Sequence, residues 1–501
     1  MLHHDRIALI ISIASFFVIS QISARIFENI PHIEDEMAYV WQARVIARGE
    51  LMIASPPCPN CFLVPFVVDY NGHRFGKYPL GWSIVLSFGE KWNFRQYVNP
   101  FFGAVSIWLT YLLAKKITNP GIGLLSAFLL STSPFFLMNS STLLSHTWSL
   151  FLTLGFALGW LDTFLFKSQI PRWITSTCSA LCLGVLATTR PMTAVGVGLP
   201  FAIHGVWLLF HRNKQNKILL LYIGGIAGCI GATHFLWQYA VTGDPFLNPY
   251  TLWWSYDTVG FGPGVGVQEG GYKPTDAIYN HGYSLYIATL DFFGWPYVSW
   301  LYLPFGVISL QKNKPAWLIF SIFGGLIFAY SFYWIGSWLV GPRYYFEALP
   351  GVTIFTSAGI VWTVGKLKSK DQSFRNRRVS QIRFTLGALF AILFITFNLK
   401  YYTPMRLQGM YGLYGAKTEL LSPFQSPQAY ELSPALVIVT LQRDWIEYGA
   451  LLDLSSPFLD SPFIFMLNQG DKQNSIAIHS FPNRKLIYYF PDQPYVFYMK
   501  E

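Results

Sequence analysis

Apolar runs long enough to cross a lipid bilayer recur along most of this chain, and they constrain its fold more than any other feature. A membrane-spanning helix needs about 17 to 25 mostly apolar residues. Only 12% of the 501 residues are charged, which is about half the average of soluble domains. We therefore predict a polytopic α-helical membrane protein with about eleven transmembrane helices. The predicted spans are 7–26, 97–114, 121–139, 143–165, 173–190, 192–210, 218–240, 285–308, 316–338, 345–364 and 383–400.

The basic residues between these spans predict which ends face the cytoplasm, because cytoplasmic loops are enriched in Lys and Arg. Alternating the spans places most loop cations on one side, which we predict to be cytoplasmic together with the N-terminus. These cations are Arg6, Lys115, Lys116, Lys167, Arg172, Arg212, Lys214, Lys217, Lys312, Lys314 and those of the run KLKSKDQSFRNRR at 366–378. The net charge of +10 therefore indicates membrane orientation and not nucleic-acid binding.

Three polar segments fall on the opposite, extracytoplasmic side: the loops 27–96 and 241–284, and the C-terminal tail. We predict a transmembrane domain over 1–400 and an extracytoplasmic α/β module over 401–501, in a cell (inner) membrane. In the tail, the stretches ALVIVTL, FIFMLN, SIAIHSF and KLIYYF have the composition of strands, and DWIEYGALLDL has helical spacing.

Three adjacent carboxylates, Glu34, Asp35 and Glu36, open the first outer segment, a few residues after the first span. The residues that follow repeat at helical spacing, so we predict a helix on the membrane face with Trp41 and Arg44 at the interface. One interpretation is that the acids only stabilise the first helical turn through the helix dipole. The other is catalytic, because repulsion between carboxylates raises one pKa and yields a base that works near neutrality.

Three cations of the outer side are candidates to bind an anion: Lys77, Arg190 and Arg343. A departing lipid phosphate requires a cation to neutralise it as its bond breaks. Arg suits bidentate phosphate contacts, and Lys acts as a point charge. Each residue alone is readily explained as a side chain that snorkels from a helix end, but the three together favour phosphate binding.

The second outer segment is rich in glycine and aromatic residues and indicates a carbohydrate-binding surface. Trp253 and Trp254 could stack on sugar rings, and Asp257 could bond sugar hydroxyls. A tryptophan-rich loop that rests on the membrane interface is the alternative. The isolated His146 and His281 are interpreted as structural or interfacial residues.

Little in the sequence points to a cofactor. Cys58 and Cys61 form CPNC without a second pair, which is weak evidence for zinc. They form either a local disulfide, if the loop faces an oxidising compartment, or two free thiols. No P-loop, nucleophile elbow or metal-ligand cluster stands out, so we expect no cofactor and a metal-independent protein.

Four short motifs, taken in order, resemble those of a known family. They are DE-x-x-Y-x-x-Q-A at 35–43, KYPLGW at 77–82, RP at 190–191 and RYYFEALP at 343–350. Over roughly residues 5–365 the chain resembles the C-type (GT-C) membrane glycosyltransferases, in the branch of protein O-mannosyltransferases and lipid A aminoarabinose transferases. It departs from that pattern in KYPLGW, where a second proline is more common, and in its tail.

The resemblance implies an enzyme that transfers a sugar, with inversion, from a polyprenyl-phosphate donor to an acceptor on the outer side. The acceptor would be a glycan, a lipid or a protein. Asp35 would be the base or its orienter, with Glu36 beside it. Lys77 and Arg343 would hold the donor phosphate, with Arg190 as a further contact. Residues of the motifs and of the aromatic loop would contact the sugar or acceptor: Tyr39, Tyr78, Trp253, Trp254, Asp257 and Tyr344.

Two other functions are compatible with the same pattern. A transporter or flippase of lipid-linked glycans would place ionisable residues deep inside the spans. Here Asp162 lies close to a span end, and Asp291 is the main exception. A non-catalytic sugar-binding membrane protein would use Trp253 and Trp254 as platforms and would release no polyprenyl phosphate.

Overall fold

Helices form most of the molecule. The structure, a computed structural model, describes residues 3–211, 213–365 and 374–499. Before the tail the helices are α1 (His3–Arg25), α2 (Glu34–Ala47), α3 (Leu80–Lys91), α4 (Val98–Ile117), α5 (Pro120–Ser131), α6 (Pro134–Ser141), α7 (His146–Phe164), α8 (Arg172–Ala187), α9 (Pro191–His211), α10 (Lys214–Thr242), α11 (Pro249–Trp253), α12 (Pro274–Asp291), α13 (Leu303–Leu310), α14 (Lys314–Tyr330), α15 (Leu349–Thr363) and α16 (Phe374–Phe397). In the tail they are α17 (Thr403–Gln408), α18 (Pro427–Glu431), α19 (Ile446–Gly449) and α20 (Asp471–Ser480).

The predicted class, a polytopic helical membrane protein, is confirmed. In the described part of the chain, five helical segments are long and apolar enough to cross a membrane, or six if the bent pair α5–α6 is one span. The predicted total of eleven stays a prediction. Arg212 and residues 366–373 of the predicted basic run lie outside the described residues.

Two predicted spans are broken, each for a local reason. The span at 121–139 consists of α5 and α6, which meet at 60°. The Ser133 hydroxyl caps α6 by accepting the N–H of Phe136 at 3.2 Å, and Pro134 follows as the first helical residue. Serine at the cap and proline at the first position are the residues that start a new helix.

The span predicted at 285–308 is not one helix, because α12 ends at Asp291 and α13 begins only at Leu303. Gly294 and Tyr297 adopt φ values of 64° and 65° between them. A right-handed helix cannot continue through such residues, and hydropathy alone does not reveal their backbone conformation.

Residues predicted to be cytoplasmic gather at one end of the bundle. Lys115 pairs with Asp5 at 2.6 Å, and Lys116 pairs with Asp162. Asn313, which caps α14, donates to the carbonyl of Ile117 at the end of α4 at 2.8 Å. The ends of α1, α4, α7 and α14 therefore meet at this end, while the segment that carries the acidic triplet lies beyond the other end of α1.

A small antiparallel sheet in the first outer segment places the lysine motif. Its strands are β1 (Ile53–Ala54), β2 (Val67–Tyr70) and β3 (His73–Gly76), in the order β1-β3-β2. The N–H of Gly76 donates to Gln42 Oε1 of α2 at 2.7 Å. This bond fixes the end of β3 on α2, so the next residues, Lys77 and Tyr78, emerge beside the acidic end of that helix.

The tail forms a second sheet with the order β5-β4-β6-β7. Strands β4 (Ala435–Val439), β5 (Phe463–Leu467) and β6 (Lys485–Tyr489) are parallel, and β7 (Tyr498–Met499) is antiparallel to β6. Three of the four predicted strands and the helical character of 444–454 are thereby confirmed.

The fourth predicted strand, SIAIHSF at 475–481, was wrong, because these residues lie mostly in helix α20. Two parallel strands in one sheet need a crossover connection, and a helix usually provides it. The helix α20 makes this crossover between β5 and β6. It buries Asn474 and Ala477, which are three residues apart, so the apparent alternation of Ile476 and Ile478 was misleading.

The tail covers helix α2. Arg44 of α2 bonds Glu90 at 3.1 Å and Asp453 of the tail at 3.0 Å, and Arg95 bonds the same two acids at 3.0 and 2.6 Å. The Trp41 side chain is buried. The prediction that Trp41 and Arg44 lie at the membrane interface was wrong, since helical spacing shows that a face is covered but not what covers it.

Candidate active site

An ion pair joins the acidic triplet to the arginine motif. Asp35 lies in the first turn of α2, and Arg343 opens a short 3-10 helix, Arg343–Ala348. An Arg343 guanidinium nitrogen lies 3.1 Å from Asp35 Oδ2. The hydroxyl of Tyr78 donates to the other oxygen, Oδ1. Asp35, Tyr78 and Arg343 are all predicted site residues, and they therefore meet at one carboxylate although Asp35 and Arg343 are 308 positions apart in the sequence.

A second ion pair holds the predicted phosphate-binding lysine. Lys77 Nζ lies 3.0 Å from Asp257 Oδ2, and both side chains are almost fully buried. Asp257 Oδ1 accepts further bonds from the Tyr333 hydroxyl at 3.2 Å and from Trp334 Nε1 at 3.1 Å. The expectation that Asp257 bonds sugar hydroxyls is therefore not supported, because both carboxylate oxygens already hold protein groups.

Aromatic rings enclose the Lys77 ammonium. Its nitrogen lies 3.8 Å from the centre of the Phe66 ring, 4.8 Å from Trp254 and 5.0 Å from Tyr250. Trp253 packs edge-on against Phe66 at 5.6 Å. Cation–π contacts of this kind stabilise a desolvated cation. Trp254 therefore packs on the lysine and Trp253 on Phe66, and this packing differs from the sugar platform that we expected.

Tyr78 connects the two ion pairs. It follows Lys77 directly in the chain and bonds Asp35, so Lys77, Arg343 and Asp35 belong to one connected group of contacts. Burial alone would raise the pKa of Asp35, but the charge of Arg343, the bond from Tyr78 and the charge of Lys77 outweigh it. The pKa of Asp35 therefore lies below its ordinary value, and the carboxylate is ionised at neutral pH.

Two opposing effects act on the pKa of Lys77. Burial lowers the pKa of Lys77, and the pair with Asp257, together with the charge of Asp35, offsets part of that effect. The pKa stays below the ordinary lysine value. Because the ammonium is desolvated and closely paired, an incoming anion that replaces Asp257 would interact with it strongly.

Glu36 points to a different set of partners. Its Oε2 accepts the N–H groups of His32 and Ile33 at 2.8 and 3.4 Å, and its Oε1 accepts the N–H of Leu143 at 2.7 Å. Both oxygens therefore tie the start of α2 to the segment before α7. This geometry supports a structural role for Glu36 and does not support the catalytic role that we expected beside Asp35.

Arg190 lies in an adjacent group of side chains. It donates to the Tyr330 hydroxyl at 2.9 Å, and its other terminal nitrogen lies 3.7 Å from Glu347 Oε1. The Tyr330 ring stacks on Tyr344 with 4.2 Å between centres. The Arg343 guanidinium lies 5.9 Å from the Tyr344 ring, so this group continues directly from the Asp35 pair.

Tyr39 lies on the face of α2 that bears Asp35. Its ring centre is 4.8 Å from that of Tyr78, and its hydroxyl shares a 3.3 Å hydrogen bond with Ser145 Oγ. Every predicted site residue except Glu36 thus lies within one connected set of contacts. The structure does not support the predicted role of several of these residues, because most of their side chains are already bound to one another.

Two buried residues of this region were missed as site residues. Glu347 was quoted only as part of the motif RYYFEALP, and His146 was interpreted as structural. Both side chains are buried, and in the described part of the chain neither makes a side-chain hydrogen bond to another residue. The available signal was an ionisable residue within an apolar run, which marks a functional position by default in membrane proteins.

The comparisons with known proteins establish the fold. No family model matches the chain. An uncharacterized protein of Aquifex aeolicus is 29% identical over 197 residues, which are 38% of this chain and 38% of that protein. The chain therefore spans much less than half of that relative's length in the match.

Solved structures match the chain over nearly its whole length. ArnT from Cupriavidus metallidurans bound to undecaprenyl phosphate aligns with a TM-score of 0.58 at 12% identity, over 97% of this chain and 93% of that one. The apo oligosaccharyltransferase of Archaeoglobus fulgidus aligns with a TM-score of 0.50 at 12% identity, over 95% and 69%. Both are C-type glycosyltransferases. The chain thus has the fold of the C-type (GT-C) membrane glycosyltransferases.

Proposed function

We propose that this protein is a membrane glycosyltransferase that moves a sugar from a polyprenyl-phosphate donor to an acceptor hydroxyl, with inversion at the anomeric carbon. The observation that carries the proposal is that Asp35 is paired with Arg343 and lies close enough to Lys77 for the lysine charge to act on it, with Tyr78 joining the two ion pairs. The same fold carries undecaprenyl phosphate in the ArnT structure. The acceptor is a glycan, a lipid or a protein.

The donor phosphate takes the two cations from their present partners. Lys77 and Arg343 are each paired with one carboxylate, Asp257 and Asp35. A phosphate offers more acceptor oxygens than either carboxylate, and a guanidinium matches it in bidentate geometry. Both cations then face the oxygen that leaves, where negative charge grows as the bond to the sugar breaks.

Donor binding also prepares the base. While Arg343 is bound to it, Asp35 is a weak base, because the positive charge holds its pKa low. Once the phosphate draws Arg343 away, the pKa of Asp35 rises. Asp35 then accepts the proton of the acceptor hydroxyl, whose oxygen attacks the anomeric carbon while the bond from that carbon to the phosphate oxygen breaks. The polyprenyl phosphate leaves with its charge held by Lys77 and Arg343.

The proposed location is the extracytoplasmic side of a cell (inner) membrane, with the N-terminus in the cytoplasm. Cys58 and Cys61 of the first outer segment are joined by a disulfide, which agrees with an oxidising compartment. A lipid phosphate anchored in the outer leaflet would reach Lys77 and Arg343 directly from the membrane.

The two acids that the sequence places within apolar runs, Asp162 and Asp291, give no support to transport. Asp162 pairs with Lys116 at the end of the bundle predicted to be cytoplasmic. Asp291 pairs with Arg406 at 3.1 Å and accepts the Tyr402 hydroxyl at 2.7 Å. A transporter is expected to place ionisable residues deep inside its spans, whereas these two acids lie near the ends of α7 and α12 and are each paired with a cation.

The proposal is tested by assaying transfer in membranes with labelled polyprenyl-phosphate sugars. We expect Asp35→Asn and Lys77→Ala each to lower the rate by about 100-fold or more, which is the scale of losing a catalytic base or a charge contact to the leaving group. The matched controls Asp492→Asn and Lys472→Ala change exposed side chains of the tail and should retain the wild-type rate. Full activity in both site variants would reject the proposal.

A further inference from the structure

Two buried side chains beside the site, and one nitrogen of a third, lack hydrogen-bond partners in the described part of the chain. His146 is 5% exposed and Glu347 is 1% exposed. Within the described residues, neither ring nitrogen of His146 and neither side-chain oxygen of Glu347 makes a hydrogen bond to another residue. The same holds for the Arg190 terminal nitrogen that lies 3.7 Å from Glu347.

These side chains lie beside the Asp35–Arg343 ion pair. His146 is the first residue of α7, and α7 packs against the 3-10 helix that carries both Arg343 and Glu347. The charges of Arg190 and Arg343 both act on the His146 ring. The preceding residue, Ser145, bonds Tyr39. The group is therefore adjacent to the Asp35–Arg343 ion pair.

An unsatisfied buried polar group is costly, and native proteins keep few of them. Three such groups in one place would be a poor way to build a core, and elsewhere in this region buried charges are fully paired. Asp257, for example, is bonded by three protein groups. A bound molecule that donates to Glu347 and accepts from Arg190 would complete the missing bonds.

The charges present select the class of that molecule. Arg190 faces Glu347, so the subsite presents a guanidinium and a carboxyl group side by side. A phosphate there would be repelled by the Glu347 carboxylate, and an ammonium group would be repelled by Arg190 and Arg343. Sugar hydroxyls both donate and accept, and they satisfy a carboxylate, a guanidinium and an imidazole together.

We propose that His146, Glu347 and Arg190 form the subsite for the hydroxyls of an uncharged sugar on the donor. This inference rests on the proposed function, because it takes the donor phosphate to lie at Lys77 and Arg343. It assigns Arg190 to the sugar and not to the phosphate. Glu347 accepts from two hydroxyls, Arg190 donates to a hydroxyl oxygen, and His146 does either according to its tautomer.

The test compares two ligands on the purified full-length protein. Equilibrium binding is measured for farnesyl phosphate and for farnesyl phosphate that carries one of a panel of neutral hexoses and pentoses or an amino-pentose. We expect a neutral sugar to add affinity in the wild type. We expect Glu347→Gln, His146→Phe and the milder His146→Gln to lose about tenfold or more of it, the scale of a lost hydrogen bond to a charged or buried group.

Bare farnesyl phosphate should bind all three variants as it binds the wild type, which also shows that they fold. The matched controls Glu50→Gln and His73→Phe, at exposed positions, should leave both affinities unchanged. The subsite is wrong if the variants keep the gain from the sugar, if they lose farnesyl phosphate equally, or if no neutral sugar adds affinity. It is also wrong if the amino-pentose is preferred. Failure of the wild type to bind farnesyl phosphate would instead refute the proposed function.

Discussion

At the scale of single residues, the site keeps each of its cations neutralised by a carboxylate in the resting protein. Lys77 is held by Asp257, and Arg343 is held by Asp35. Burying a charge is tolerable only when it is paired and hydrogen-bonded. In the proposed mechanism, donor binding is therefore an exchange of partners, and the base is released only when the phosphate is present.

The lysine pair offers a way to separate folding from function. Lys77→Met leaves Asp257 buried without its cation, so we expect a loss of about 3–5 kcal/mol in the free energy of unfolding. The double variant Lys77→Met/Asp257→Asn removes both charges and should recover most of that stability, measured by denaturation in detergent. Donor binding and transfer should stay lost in both. A double variant with restored transfer would show that Lys77 is only structural.

The Asp35 pair predicts a pH dependence of stability. Because the folded pKa of Asp35 lies below its ordinary value, its contribution is fully present above the unfolded pKa of about 3.9 and is lost as pH falls through the folded value. The difference in melting temperature between the wild type and Asp35→Asn should therefore be constant between about pH 5 and 7 and should shrink below about pH 4. A difference that grows on acidification would contradict this assignment.

The residues of the site were predictable to the extent that their chemistry shows in a motif. Asp35, Lys77 and Arg343 were identified from charge in unusual places, and they do meet. Asp257 was misassigned, since its partner Lys77 is 180 positions away and a single carboxylate in a loop does not reveal what it binds. His146 was dismissed because one histidine in an apolar run has no pattern.

At the scale of elements, helix α2 organises the site. Asp35, Tyr39 and Gln42 are spaced by four and three residues and so lie on one face. Asp35 meets Arg343, Tyr39 meets Tyr78, and Gln42 holds the end of β3 at Gly76. The motif DE-x-x-Y-x-x-Q-A thus describes one helical face that positions the lysine loop. The spacing of these three residues could be predicted from the sequence, but the contact of Gln42 with strand β3 could not, because it joins two separate elements.

The docking of the tail on α2 rests on a buried ionic network. Asp453 bonds both Arg44 and Arg95, and burial is about nine tenths for its side chain. Asp453→Asn should destabilise this docking by about 3–5 kcal/mol, because two mostly buried cations lose one of the two acids that they share. Hydrogen exchange of β4 to β6 and resistance to protease measure the effect.

The chain provides a matched control for that change. Arg48 and Asp460 form a second ion pair between α2 and the tail, but about half of each side chain is exposed. Asp460→Asn should therefore cost only about 0–1 kcal/mol. Equal effects of the two substitutions on exchange and proteolysis would show that the Asp453 network does not hold the tail.

At the scale of the whole molecule, the fold class followed from composition and run length, because the bilayer fixes how long an apolar helix must be. The two breaks, between α5 and α6 and after Asp291, did not follow, since hydropathy is blind to backbone conformation. The strand order of the tail and its docking on α2 depend on contacts between distant segments, and local sequence patterns do not show such contacts.

The proposed sidedness is a property of the whole chain and can be measured by labelling. Lys312→Cys lies in a predicted cytoplasmic loop, and Glu431→Cys lies in the tail; both positions are exposed. A membrane-impermeant maleimide applied to intact cells should label Glu431→Cys, and should label Lys312→Cys only after permeabilisation. The parent protein, with its own cysteines, gives the background. The reverse pattern would contradict the predicted orientation.

The most direct test of the account is a cryo-EM structure of the protein with undecaprenyl phosphate. We predict that the phosphate lies within hydrogen-bonding distance of Lys77 Nζ and the Arg343 guanidinium. Arg343 should be drawn away from Asp35, so that the Asp35 carboxylate is free to accept a proton from the acceptor. A phosphate bound elsewhere, or an Asp35–Arg343 pair still at its present 3.1 Å beside a bound phosphate, would contradict the exchange of partners on which the mechanism rests.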